Sequence, residues 1–138
     1  MTKEYVRQLS YEIVGFAINV HRALGPGLLE SVYERCLKYE LDSKGYEVRQ
    51  QLTVDVKYQD LILATPLKVD LLVESCVVVE LKAVEELLPV HEAQVLTYMK
   101  LLKVPQGLLI NFHSKNITKS FKPFVNEYYS LLKDSKCS

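Results

Sequence analysis

Val77-Val78-Val79-Glu80-Leu81-Lys82 is the stretch on which the reading of this chain turns. It reads as a strand whose apolar run is interrupted by a carboxylate and an amine. Side chains alternate along a strand, so Val78, Glu80 and Lys82 share one face while Val77, Val79 and Leu81 share the other. Burying ionised groups is costly unless they are paired, hydrogen-bonded or bound to a metal. The preceding run, Val69-Asp70-Leu71-Leu72-Val73, is interrupted in the same way, and Asp70 and Glu80 lie equidistant from Ser75. A three-residue hairpin loop at Glu74-Ser75-Cys76 sets the two carboxylates opposite each other on neighbouring strands. Two converging carboxylates with a lysine alongside point to a divalent-cation site with a built-in positive charge.

Upstream, Leu9, Ile13, Phe16, Ala17, Val20 and Leu24 recur at helical spacing, which predicts an amphipathic helix broken by Gly25-Pro26-Gly27. A second helix is predicted from about Leu28 to Lys44, with Leu29, Val32, Cys36, Leu37 and Leu41 as its buried set and Gly45 as its stop. Val48 to Tyr58 alternates as a half-buried strand, Gln59-Asp60 is a turn, and Leu61 to Ala64 continues as a short strand.

Downstream of the hairpin, Pro89 opens a third helix that runs to about Leu102. Gly107 to Phe112 is a continuous apolar strand of the kind buried in parallel sheets. A terminal helix is expected from about Phe121 to Leu132, followed by a loose tail from Asp134 to Ser138. The predicted order is ααβββαβα.

The 138 residues suffice for one domain with a real core. Seventeen basic residues balance seventeen acidic ones, so any grip on a polyanion has to come from a local patch. Cys36, Cys76 and Cys137 are odd in number and show no C-x-x-C pairing, which argues against a disulfide framework and favours a reducing compartment. The first residues carry Lys3, Glu4 and Arg7 without the apolar core of a signal peptide, and no apolar run is long enough to span a bilayer. The expectation is a cytoplasmic protein with no membrane association.

With Asp70 on one hairpin strand and Glu80-x-Lys82 on the next, the chain resembles the PD-(D/E)XK nuclease superfamily, and within it the GxxExxY branch. Gly27-Leu28-Leu29-Glu30-Ser31-Val32-Tyr33 looks like the naming motif of that branch. Val69–Val73, Val79–Val84, Pro89-Val90-His91-Glu92-Ala93-Gln94 and Leu108–Phe112 resemble its other blocks, in order and over almost the whole chain. The resemblance implies a restriction-endonuclease-like core: an α/β (α+β) fold with a mixed central sheet flanked by helices, in a single domain spanning 1–138.

The resemblance also implies a metal-dependent phosphodiesterase acting on DNA or RNA. Asp70, Glu80 and the main-chain carbonyl of Leu81 would hold Mg²⁺, for which Mn²⁺ can substitute. Lys82 would sit beside the attacking water, with Glu30 and Gln94 completing the catalytic set. Tyr33, His91 and Tyr98 would contact substrate. Val69 stands where the superfamily often has proline.

On the residues alone two blander readings stay open. Glu80 and Lys82 can be a solvated strand face, although Val78 and Leu72 on the same side argue against it. Asp70, Glu80 and Lys82 can also form a structural ion triad. At the level of function, the alternative is a non-catalytic module of nuclease fold that binds nucleic acid or protein. A bare fold of this size has little surface with which to grip a duplex, so a homodimer or a protein partner is part of the expectation.

Overall fold

The computed structural model describes residues 1–134, so the expected loose tail beyond Asp134, with Cys137, lies outside the described residues. The first helix, α1, spans Lys3–Leu24. It starts two turns before the predicted Leu9 because Thr2 accepts a hydrogen bond from the Tyr5 amide and Val6 extends the buried stripe backwards. Gly25, at φ 71°, ends it with an N–H donated to the His21 carbonyl.

Helix α2 spans Glu30–Ser43 and buries Tyr33, Glu34, Leu37 and Leu41. That corrects the predicted stripe: Leu29 is 74% exposed and Val32 lies at the surface. Tyr33 decides the rotation. Its ring stacks on Phe112 at a centroid distance of 4.5 Å. Its hydroxyl donates to the Gly25 carbonyl at 2.5 Å and accepts from the Leu28 amide at 3.1 Å. The stacked, doubly hydrogen-bonded Tyr33 ring claims the core, and the helix turns with it, leaving Tyr39 exposed.

The predicted strand 48–58 is two strands. Strand β1 (Val48–Thr53) ends where Val54 is buried and donates its N–H to the Leu67 carbonyl. The chain then leaves the sheet as a separate hairpin, β2 (Val56–Tyr58) and β3 (Leu61–Leu63), around the expected Gln59-Asp60 turn. Strands β4 (Lys68–Val73) and β5 (Val77–Lys82) form the predicted central hairpin, with Glu74 and Ser75 of its loop at positive φ. Helix α3 (Pro89–Leu102) carries the chain over to β6 (Gln106–Asn111), which is wholly buried and parallel to β5. The close packing of α3 on β6 depends on Gly107: a Cβ there would lie 2.6 Å from both Met99 Sδ and Val95 Cγ1.

The predicted terminal helix is mostly a strand. After a 3₁₀ turn at Ile117–Lys119, β7 (Phe121–Val125) pairs antiparallel with β6 at the sheet edge. Pro123 explains the correction: it breaks a helix interior, but an edge strand tolerates its missing N–H. Only a single turn, α4 (Glu127–Ser130), remains helical, capped by the Asn126 side chain.

The five strands run in the order β1-β4-β5-β6-β7, mixed in direction. One face packs beneath α1 and α2 through Ile13, Leu37, Leu71, Val79 and Ile110. The other packs beneath α3 through Leu72, Val78, Val95, Met99 and Leu109. This is the mixed α+β sheet flanked by helices expected of a restriction-endonuclease-like fold.

Candidate active site

The site forms where the central hairpin opens. The β4–β5 ladder pairs Val73 with Val77, Leu72 with Val78 and Leu71 with Val79. One step further the register brings Asp70 opposite Glu80, and there the backbones stop pairing. The Leu81 N–H is taken up instead by the Asp70 side chain, Oδ2 accepting it at 2.9 Å.

Asp70 also sits where the sheet changes face. Val48 packs with the core under α1 and α2, whereas Leu52 packs with the core under α3. Leu71 and Val69 divide in the same way across the neighbouring strand. Strict alternation would keep each pair together. The phase change falls at Gln51 and Asp70, a pair missing from the otherwise continuous β1–β4 register. Asp70 can therefore approach Glu80 on its own hairpin and Glu34 on α2.

Glu80 is only 3% exposed, and its Oε1 is buried with no hydrogen-bond partner. Burial, followed by the neighbouring Asp70, pushes its pKa up to about 9, with the Lys82 ammonium opposing the shift. Lys82 Nζ donates to Gln94 Oε1 at 3.3 Å, and Gln94 Nε2 donates to the Tyr98 hydroxyl at 3.2 Å. The Tyr98 phenol is itself pushed up by burial and by the charge of Glu80. Lys82, Gln94 and Tyr98 thus form one chain along the α3 side of the acidic pair.

An open cleft of about 500 Å³ reaches Asp70 and Lys82 but not the buried Glu80, and is lined by Leu29, Glu30, Ser31, Glu34, Gln51, Asp70, Leu81 and Lys82. Two larger grooves border α1, of about 690 and 560 Å³, but their walls are mainly apolar and neither contains the acidic pair.

The structure thus gathers Asp70, Glu80, Lys82, Gln94 and Tyr98 and sets Glu30 at the mouth of the cleft. It does not gather the other two. Tyr33 is fully buried and both its polar contacts go to the α1–α2 loop, so a substrate contact is replaced by a structural role. His91 Nδ1 accepts the Leu88 N–H at 2.9 Å, capping α3.

Glu34 shares the helical face of Glu30 but is not among the site residues expected from the sequence. One turn deeper than Glu30 on the same face, it is 6% exposed and accepts from Gln50 Nε2 at 2.6 Å and Gln51 Nε2 at 2.7 Å. Burial raises its pKa, the Gln50 hydrogen bond opposes the rise, and the charge of Asp70 adds to it. The available signal was its i+4 spacing from Glu30.

The donor set suits a hard cation. Among the described residues no three acidic, histidine or cysteine side chains form a ready-made cage. Mg²⁺ does not need one, since it is commonly held by one or two carboxylates and keeps several waters. The orphaned Glu80 oxygen beside Asp70 is the feature a cation would satisfy.

The sequence model of the PD-(D/E)XK nuclease superfamily matches residues 7–124. The chain belongs to the PD-(D/E)XK nuclease superfamily. No curated protein and no solved structure matches it significantly. The matched span contains Asp70, Glu80 and Lys82, the side chains gathered at the open hairpin. Membership supports a nuclease-type function and a nucleic-acid substrate. Among the described residues no helix is long and apolar enough to cross a membrane.

Proposed function

We propose that this chain is a metal-dependent phosphodiesterase of the GxxExxY branch, a single cytoplasmic domain that hydrolyses DNA or RNA. The observation that carries the reading is the buried, unpartnered Glu80 Oε1 set against Asp70 with an ammonium close by. Asp70 and Glu80 would hold Mg²⁺ or Mn²⁺ with the Leu81 carbonyl. When bound, such a cation neutralises charge on the phosphoryl oxygens and acidifies a water.

The chain's own residues do the remainder. Lys82, steadied by Gln94, presents a compact positive charge that orients the incoming water and favours its deprotonated form. Tyr98 holds Gln94 in place through its hydroxyl. Glu30, exposed at the cleft mouth, is positioned to receive a proton or contact a water near the substrate.

The test is cleavage of a panel of single- and double-stranded DNA and RNA by purified protein in Mg²⁺ or Mn²⁺. Activity is expected to disappear in Asp70→Ala and Lys82→Ala. Cleavage that survives either substitution would overturn the assignment.

A further inference from the structure

We infer that Gln51 is the positioning residue of this site, a strained strand glutamine whose amide bridges Glu34 and Asp70 and fixes the orientation of the Asp70 carboxylate. The inference rests on the proposed metal-dependent reading for its consequence, but not for its geometry. Gln50 and Gln51 are consecutive residues of β1, and in a regular strand consecutive side chains point to opposite faces. Yet both amides reach the same carboxylate, Glu34.

The backbone explains how. Gln51 lies at φ 51°, in the left-handed region that a residue with a Cβ adopts at an energetic disadvantage. That conformation turns its side chain back toward the cleft, interrupts the β1–β4 pairing at Asp70, and coincides with the change of sheet face.

The result is a single amide nitrogen donating to two acids from different elements. Nε2 lies 2.7 Å from Glu34 Oε1 and 3.1 Å from Asp70 Oδ1. The other Asp70 oxygen is held by the Leu81 N–H. Asp70 is therefore gripped at both oxygens, once by the strand that carries Glu80 and once by Gln51. The outward lone pairs that remain are the ones a cation would use. Glu34, anchored by Gln50, acts as the fixed post against which Gln51 is braced. Strain held at such a position is expected where a liganding carboxylate has to be aimed.

Two readouts test this on the full chain. The first needs no metal: amide hydrogen exchange of Leu81, followed by NMR. Losing the bridge frees Asp70 to rotate, so Gln51→Ala should speed Leu81 exchange roughly tenfold or more. Gln50→Ala, which removes a comparable bond to Glu34 without touching Asp70, should speed it less. The second is calorimetric titration with Mn²⁺ alone, in which Gln51→Ala should weaken affinity by about tenfold or more, the usual effect of removing a partner of a liganding carboxylate.

Gln51→Asn guards against misfolding. It keeps the amide and tolerates the left-handed backbone, but is one methylene too short to span both acids. The same losses are expected at the wild-type melting temperature. Unchanged Leu81 exchange in the Gln51 variants, or equal effects of Gln50→Ala and Gln51→Ala, would overturn the inference. Faster Leu81 exchange in a protein whose wild type takes up no Mn²⁺ would uphold the positioning role and defeat the metal reading instead.

Discussion

Replacing Glu80 by glutamine keeps the shape of the side chain and removes its ability to ionise. In the folded chain the Glu80 carboxyl keeps its proton up to about pH 9, whereas in the unfolded chain it releases it near the ordinary value of 4.5. Folding between those values takes up a proton, so stability falls as pH rises through the window and is fullest below it. Near pH 7 the uptake spans about 2.5 pH units at about 1.4 kcal/mol each, hence roughly 3 kcal/mol.

At 3% exposure there is little solvent to screen that cost. Glu80→Gln removes it, and for a chain of this size the gain corresponds to a rise of roughly 10 °C in Tm near neutral pH. The assay is thermal unfolding by circular dichroism with EDTA, at acidic, neutral and mildly alkaline pH. The gain should shrink to nearly nothing at about pH 5 and grow toward pH 9. Added Mn²⁺ should raise the Tm of the wild type and leave the variant unmoved. A glutamine variant less stable than wild type near pH 7, or a gain that ignores pH, would refute the view of Glu80 as a strained acid awaiting a cation.

Other substitutions separate the parts of the fold from the parts of the site. Lys82→Met should retain Mn²⁺ binding, measured by calorimetry, while cleavage falls on the order of a hundredfold or more, as for loss of a proton-handling group. Tyr33→Phe strips the hydroxyl from the α1–α2 loop and should cost about 1–2 kcal/mol in urea unfolding, with Mn²⁺ affinity unchanged. Glu34→Leu leaves the Gln50 amide without its acceptor and Gln51 with Asp70 alone, and should cost about 1–3 kcal/mol, whereas Glu30→Gln at the exposed mouth should stay within about 0.5 kcal/mol. Gly107→Ala drives a methyl into Met99 and Val95 and should destabilise by about 1–3 kcal/mol in the same assay.

Much of this was written in local sequence. Alternation in Val77–Lys82, symmetry of Asp70 and Glu80 about Ser75, and the apolar run of β6 follow from side-chain periods that hold wherever a strand is buried. The same periods fail where a competing local rule is stronger. Pro123 turned the expected last helix into an edge strand, and its signal was present in the sequence. The rotation of α2 was harder to read, because Leu29, Val32 and Tyr33 offer two plausible stripes one residue apart. Packing of Tyr33 on Phe112, nearly eighty positions later, selects between them.

By itself, then, the sequence determined which residue types could do chemistry and placed Asp70, Glu80 and Lys82 on adjoining strands, since hairpin register is a local property. Only the tertiary structure decided that the hairpin opens at this pair, that Glu34 and not Glu30 lies deepest beside it, and that Gln51 leaves the regular strand to join them. Each depends on contacts between distant segments, and a backbone turned to positive φ inside a strand has no mark in composition or spacing. The strain is affordable there because α2, β1 and β4 meet at one point and over-determine its conformation.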